Sequence, residues 1–190
     1  EGEQETAVEG LQSAADRHRA LALVPPRFSL EGVLGRRGGR WDLVCVDRTN
    51  GQKVHLELST LGHLSSRAAY ERFVEGAKKL ANFTHPHMRR VGGGFADGQV
   101  FGLICEAIGG RSLEDLIRSR GRLSLENAFR VMGPVMDVLE RAHQEGLVHG
   151  FLHPRDVWIT ADGPRLRGWG LAPVVHYRRP SIQATQRGYA

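Results

Sequence analysis

The stretch LVHGFLHPRDVWIT, residues 147–160, follows a long predicted helix and joins a loop to a β-like run. A second short segment, GWGLA at residues 168–172, comes soon afterwards. Each segment has the layout of a catalytic loop in which the residues that would carry the chemistry are replaced. The question for this chain is therefore whether it catalyses a reaction or keeps only the architecture of a catalyst.

The length and composition indicate a globular protein. A chain of 190 residues, 41% of them hydrophobic, can form one sizeable domain or two small lobes. The sequence contains neither an apolar run long enough to span a membrane nor a signal peptide, since its first residues are acidic. We expect a cytoplasmic segment without membrane contact. Because the chain lacks an initial Met and breaks off after GYA, we expect it to be a piece of a longer polypeptide, whose membrane anchoring stays open.

The cysteines and the charges narrow the possible environments and partners. Cys45 and Cys105 each lie in an apolar run, which is typical of reduced, buried thiols. The net charge is +5, but the first sixteen residues carry five acidic and no basic side chains, so the remainder carries +10. The arginines of this basic body are scattered, with few aromatic residues between them, which does not favour a nucleic-acid surface.

The first half of the chain predicts an antiparallel sheet with one helix. Residues 1–26 are acidic, end in Pro25-Pro26 and are interpreted as a linker. Three β-like runs follow, with Asn50-Gly51 as a hairpin turn between the second and the third. A helix capped by Ser65 or Ser66 comes next, and two more strands turn near Gly98.

The second half predicts helices. Gly109-Gly110 interrupts the strand pattern, a short helix opens at Ser112, and a longer one opens at Ser124. The longer helix has an apolar stripe made of Phe129, Met132, Val135, Met136, Leu139 and Ala142. In the chain as it stands we expect this stripe to face water, as an exposed patch does where a partner surface is missing.

Six segments in this order resemble the protein-kinase fold. They are LGRRGGRW (34–41), KVHLEL (53–58), FTHPHM (83–88), EAIGGRSLEDLI (106–117), AHQEGLVHG (142–150) and ADGPRLRGWGLA (161–172). The resemblance covers residues 28–190 and implies an α+β, two-lobed fold. The first lobe (27–108) is expected to hold five antiparallel strands and a helix. The second lobe (109–190) is expected to be helical and truncated in the activation segment.

The resemblance implies a lysine-glutamate ion pair that this sequence does not contain. The strand lysine that pairs with nucleotide phosphates falls on Glu57, an anion in place of a cation. Its partner glutamate on the helix falls on Gly76. Glu75 lies one residue away, about 100° around the helix, and is expected to point elsewhere. The ion pair is therefore predicted to be lost.

The base and the metal ligands are replaced as well. The H-R-D aspartate falls on Phe151, whose ring cannot accept a proton. The D-F-G aspartate falls on Gly168, and the asparagine that serves as a second metal ligand falls on Asp156. A single remaining carboxylate is poor support for Mg²⁺, so no metal is expected unless Asp156 recruits it. Together these losses predict a pseudokinase, a kinase homologue without catalysis.

The nucleotide pocket is predicted to be narrowed. The second and third glycines of the glycine-rich loop fall on Arg37 and Arg40, and His55 replaces a small residue beside the adenine. A weakly bound ATP stays open as a cofactor. The residues that would border it are Gly35, Gly38, Arg40, Cys105, Glu106, Ala107 and Ile108.

Several residues carry two interpretations. Arg40 is either a solvated loop arginine or a cation that replaces the strand lysine, as in kinases that supply it from the glycine-rich loop. His143, His149 and His153 lack metal-ligand spacing and favour internal packing. Five further arginines are either a solvated face or a surface for an acidic or phosphorylated partner: Arg165, Arg167, Arg178, Arg179 and Arg187.

The favoured hypothesis is a pseudokinase of bacterial Ser/Thr type that binds a protein partner within a larger signalling protein. The alternative is an atypical ATP-binding kinase or nucleotide sensor that uses Arg40 and Asp156. A third class, anion or nucleic-acid binding through the basic body, predicts salt-dependent binding to heparin. HGFLHP (149–154) also resembles the loop of small-molecule kinases such as aminoglycoside phosphotransferases, in which the replaced residues would be equally inactive.

Overall fold

A computed structural model describes residues 14–37, 39–60 and 66–169. The first lobe is a five-stranded antiparallel sheet in the order β1-β2-β3-β5-β4. Its strands are β1 (Phe28–Arg37), β2 (Arg40–Asp47), β3 (Gln52–Thr60), β4 (Val91–Asp97) and β5 (Val100–Glu106). The five strands of the sequence-based prediction are all present.

The turn between β2 and β3 fixes the register of the central strands. Gly51 has a φ of +71°, a conformation that glycine adopts without strain, and the side chain of Asn50 accepts the backbone N–H of Gln52 at 2.9 Å. Asp47 therefore lies opposite Gln52, and counting inward along the strands places Asp42 directly opposite Glu57. This register brings two carboxylates side by side.

Two helices pack on the sheet. Helix α2 (Arg67–Asn82) begins at Ser66, whose side chain accepts the N–H of Ala69, and it packs against β4 through Phe73 and Ala77. Helix α1 (Ala14–Leu21) packs against β1. The sequence predicts a linker over residues 1–26. In the structure, α1 lies within this range, and Ala20 is buried in the cluster of apolar side chains beneath β1.

The described part of the second lobe, residues 109–169, contains two helices and a small sheet. Ser112 caps α3 (Leu113–Arg120), and Ser124 caps α4 (Leu125–Gln144). The three-stranded sheet, absent from the sequence-based prediction, contains β6 (Arg111–Ser112), β7 (Val157–Thr160) and β8 (Gly163–Leu166). A 3-10 turn at Pro154–Asp156 leads directly into β7. The small sheet places residues 156 and 167 at the mouth of the cleft between the lobes.

The predicted apolar stripe of α4 divides between core and solvent. Val135 and Ala142 are fully buried, whereas Phe129 and Met136 are 69% and 65% exposed. The exposure of Phe129 and Met136 agrees with the expectation of an uncovered apolar face. Among the described residues, no helix combines the length and apolar character that a membrane crossing requires.

Candidate functional site

The cleft between the lobes holds a group of buried charged side chains where the sequence analysis places the catalytic residues. Three arginines and three carboxylates belong to it, and each is at most 8% exposed. We call this group the cleft network; its members are Arg40, Asp42, Glu57, Arg89, Asp156 and Arg167. Their formal charges cancel, which limits the cost of burying them.

Glu57, at the position of the strand lysine, is 1% exposed and already has cationic partners. Arg89 donates from Nη2 to Glu57 Oε1, and Arg40 Nη1 lies 3.8 Å from Glu57 Oε2. Arg89 Nη1 also contacts His55 Nδ1 at 3.3 Å. The carboxylate therefore serves as the anionic end of an internal ion pair, and its negative charge would oppose a bound phosphate.

Arg40 is the centre of the cleft network. Its guanidinium lies 3.4 Å from Asp42 Oδ1 through Nε, and 3.5 Å from Asp156 Oδ1 through Nη2. The interpretation of Arg40 as a solvated loop residue is wrong, because it belongs to β2 and is 4% exposed. It provides a cation close to Glu57, as the other interpretation requires, but three carboxylates already surround that cation.

Arg167 closes the network from the second lobe. Its Nη2 lies 2.9 Å from Asp42 Oδ2, and its guanidinium stacks 5.1 Å from the ring centroid of Trp158. The solvated-face interpretation is therefore wrong for Arg167, which is 4% exposed. Arg165 Nη1 lies 3.4 Å from Glu106 Oε2. The other three arginines of that group, at 178, 179 and 187, lie outside the described residues.

Asp156 and Gly168, to which the resemblance assigns the two metal-ligand positions, lie side by side in the structure. Asp156 Oδ2 accepts the backbone N–H of His153 at 3.1 Å, while its Oδ1 faces Arg40. Gly168 has a φ of +88°, and a Cβ atom there would lie 2.9 Å from Asp156 Oδ1. These residues do not fit Mg²⁺, because one position lacks an oxygen ligand and the other has its free oxygen directed at a guanidinium.

The remaining catalytic positions carry no acid, base or ion pair. Phe151 is 40% exposed on the loop before the 3-10 turn. Gly76 lies in α2, and its neighbour Glu75 forms a surface ion pair with Lys79 at 3.1 Å instead of facing Glu57. The prediction that Glu75 points elsewhere is confirmed by this contact.

The residues predicted to border a nucleotide are only partly brought together. Cys105 is 2% exposed in β5, opposite His55 of β3. Glu106 Oε2 accepts the backbone N–H of Arg90 at 3.2 Å, and Ala107 and Ile108 continue the chain, half-buried, toward the second lobe. Gly35 lies in β1 with open space on its Cβ side, and Gly38 lies outside the described residues.

The side chain of His55 fills the position where the resemblance implies a small residue. It is 5% exposed and meets the Trp158 ring edge-on, with 6.5 Å between ring centroids. Burial, assisted by the positive charge of Arg89, lowers the pKa of His55 to about 3. His55 is therefore neutral at physiological pH and accepts from Arg89.

Burial and neighbouring charges shift the pKa of Asp42 in opposite directions. Burial opposes its ionisation, but Arg40, Arg167 and Arg89 together hold the pKa of Asp42 below its usual value. Burial also lowers the pKa of the Arg89 guanidinium. The carboxylate of Asp42 is thus ionised at neutral pH because of its cationic neighbours.

The loop histidines have internal roles. His149 donates from Nε2 to the carbonyl oxygen of Arg167 at 2.7 Å and packs edge-on against Trp169 at 4.9 Å. Burial lowers the pKa of His149. His153 Nδ1 accepts the backbone N–H of Arg155. In the part of the chain that the structure describes, no group of three or more His, Cys, Asp or Glu side chains is arranged to hold a metal ion.

Sequence reasoning missed two members of the cleft network, Asp42 and Arg89. Asp42 carries a detectable signal, since the Asn50-Gly51 hairpin register places it opposite Glu57, and two facing carboxylates require a cation. Arg89 belongs to the segment between α2 and β4, whose sequence gives no sign that a guanidinium is buried there.

The amino-acid sequence is similar to those of bacterial serine/threonine-protein kinases. It is 28% identical over 158 residues to the serine/threonine-protein kinase PknA of Mycobacterium tuberculosis, covering 78% of this chain and 36% of PknA. It is 28% identical over 138 residues to PkaB of Streptomyces coelicolor, covering 73% of this chain and 33% of PkaB. The chain therefore spans about a third of the length of these curated relatives. No protein-family model matches it.

Solved structures share the fold. The kinase domain of Mycobacterium tuberculosis PknI (C20A mutant) superposes with a TM-score of 0.72 at 18% identity, covering 86% of this chain and 67% of that one. Rad53 (residues 1–466, in complex with AMP-PNP) gives a TM-score of 0.66 at 17% identity, covering 76% and 38%. The two-lobed protein kinase-like fold predicted from the sequence is confirmed, and the sequence is similar to those of bacterial serine/threonine-protein kinases.

Proposed function

We propose that the chain is a catalytically inactive protein kinase homologue that acts as a regulatory or scaffolding interaction domain of a larger signalling protein. The supporting observation is the position of Arg40, whose guanidinium lies among Asp42, Glu57 and Asp156. A phosphoryl-transfer site needs cations directed at a nucleotide. In this cleft the charges are directed at one another.

The lost groups act at different steps, so one compensation cannot replace them. Phe151 cannot accept the proton of an acceptor hydroxyl, and general-base catalysis contributes roughly 10²- to 10⁴-fold. Gly168 provides no metal ligand, and a Cβ atom there would lie 2.9 Å from Asp156 Oδ1, so a side chain at this position would displace Asp156. Binding of a protein partner is then the function left by elimination, and an acidic or phosphorylated partner would suit the basic body.

The alternative function is an atypical ATP-binding kinase or nucleotide sensor. One observation favours it: Arg40 and Asp156, the two residues it requires, lie 3.5 Å apart in the cleft. A nucleotide would have to displace Asp156 from Arg40 and then use both groups. Phosphate transfer from labelled ATP that Arg40→Ala and Asp156→Ala each abolish would support this alternative.

Thermal unfolding with and without millimolar ATP, in the presence and absence of Mg²⁺, tests the proposal. A ligand at a hundred times its Kd stabilises the folded state by about 2.7 kcal/mol, a shift that is easily measured. We expect no shift for the unmodified protein. A clear shift that disappears in Arg40→Ala, while Arg130→Ala at an exposed position on α4 retains it, would overturn the proposal in favour of a nucleotide sensor.

A further inference from the structure

The cleft network connects the two lobes. Arg40, Asp42, Glu57 and Arg89 belong to the first lobe, and the remaining members, Asp156 and Arg167, belong to the second. Two ion pairs of the cleft network join the lobes, in addition to the contacts of Arg165 with Glu106 and of His85 with Asp137 outside the network. Arg167 Nη2 lies 2.9 Å from Asp42 Oδ2, and Arg40 Nη2 lies 3.5 Å from Asp156 Oδ1.

The two crossing pairs have opposite polarity. In one, the first lobe provides the carboxylate; in the other, it provides the guanidinium. Opening the cleft would separate both pairs together, leaving Asp42 and Arg40 on one side and Arg167 and Asp156 on the other. Because these groups are nearly inaccessible to water, separation would expose charges that now neutralise one another.

Aromatic contacts reinforce the same junction. Arg167 stacks on Trp158, and Trp158 meets His55 of the first lobe edge-on. The order across the cleft is therefore His55, Trp158, Arg167 and Asp42, in which residues of the first lobe enclose two residues of the second. Stacking of a guanidinium on an aromatic ring holds its donors in a fixed direction, which favours the pair with Asp42.

We infer that the cleft network is an interlobe latch: it holds the lobes in one closed orientation without any bound ligand. The latch goes beyond the proposed function, since it concerns the relative position of the lobes and not catalysis or partner binding. Because the lobes keep one orientation, the surface that spans both of them would be preformed before a partner binds.

The distance between two spin labels, one on each lobe, tests the latch. Gln99→Cys in the β4-β5 turn and Glu140→Cys on α4 provide exposed attachment points. The natural thiols, Cys45 and Cys105, are 0% and 2% exposed and therefore poorly accessible to the label. Without ligand, the labelled protein should give a single narrow distance distribution.

The test variant is Arg167→Met with Asp156→Asn. Met retains an apolar stem over Trp158, and Asn retains an acceptor for the backbone N–H of His153. The double variant removes both interlobe pairs of the cleft network but leaves the contacts of Arg165 with Glu106 and of His85 with Asp137. Its distance distribution should become at least about twofold wider, as for lobes that move about a hinge.

The matched control is Arg27→Met, which breaks an arginine-aspartate pair inside the first lobe. Arg27 Nη2 lies 2.6 Å from Asp47 Oδ2. This variant should unfold more easily but keep the narrow distribution. If the double variant does not fold, as judged by circular dichroism, Arg167→Met alone should give a smaller broadening. A folded crossing variant with the unmodified distribution would overturn the latch, whatever the outcome with ATP.

Discussion

At the scale of single residues, Gly168 shows how backbone conformation and close packing restrict one position of the cleft. Its φ of +88° lies in the region that favours glycine, and a Cβ atom there would lie 2.9 Å from Asp156 Oδ1 and 3.4 Å from Arg40 Nη1. An aspartate at position 168 would add a second carboxylate beside Asp156 in a site with no room for it. The present arrangement of Arg40 and Asp156 therefore depends on glycine.

Gly168→Asp, which restores the metal-binding residue of the family, should destabilise the protein strongly. Gly163→Asp is the matched control, because Gly163 has a φ of +108° but open space on its Cβ side. We expect Gly163→Asp to cost about 1–3 kcal/mol from backbone strain alone. Gly168→Asp should exceed it by at least about 2 kcal/mol from steric overlap and from repulsion between the added carboxylate and Asp156. Urea unfolding measures both, and equal costs would contradict the steric argument.

The predictability of the cleft residues differs from one to the next. Glu57 and Gly168 lie in or beside the cleft, near Arg40, and Phe151 lies on the loop before the 3-10 turn. The contacts of Arg40 could not be predicted in the same way, since a long flexible side chain can be solvated or buried from the same backbone position. Only the facing pair Asp42 and Glu57 indicates that Arg40 must turn inward.

At the scale of elements, the packing of α2 on β4 depends on a close approach. A Cβ atom at Gly94 would lie 2.8 Å from Ala77 Cβ. Gly76, one residue before Ala77 in α2, has open space on its Cβ side. A side chain at position 94 would therefore overlap with α2, whereas a side chain at position 76 would meet no neighbour.

Replacing each glycine by alanine should change the free energy of unfolding in opposite directions. Gly94→Ala forces α2 away from β4 and should cost about 1–3 kcal/mol, as overpacking does. Gly76→Ala removes a flexible residue from the interior of a helix and should stabilise by about 0.5–1 kcal/mol. Chemical denaturation of both variants at one pH checks the pair. Destabilisation by Gly76→Ala of the size found for Gly94→Ala would show that α2 packs differently.

The elements that the sequence predicts well are those with local signals. The Asn50-Gly51 turn and the serine caps of α2, α3 and α4 determine where strands and helices begin and end. The small sheet was missed because β6 has only two residues and β7 and β8 four each, too short for a period to be detected. Helix α1 was missed because its single buried residue, Ala20, gives no apolar stripe.

At the scale of the whole molecule, the cleft couples folding to pH through buried histidines. Burial lowers the pKa of His55 to about 3, and it also lowers the pKa of His149. Between about pH 6.5 and pH 3 the unfolded chain therefore binds a proton at His55 that the folded protein does not bind. The free energy of unfolding contributed by this difference is fully present above pH 6.5 and is lost as the pH falls.

The free energy of unfolding should accordingly decrease between pH 7 and pH 4.5, a range that lies above the titration of most carboxylates. His55→Gln retains an acceptor for Arg89 but no titrating ring, so its slope should be lower by about 1.4 kcal/mol per pH unit below pH 6. His143→Gln, at an exposed position on α4, is the control and should keep the original slope. Urea titrations at several pH values provide the measurement. If His55→Gln and the unmodified protein have parallel pH profiles, His55 is accessible to protons in the folded state and the cleft is open to water, contrary to the buried network described above.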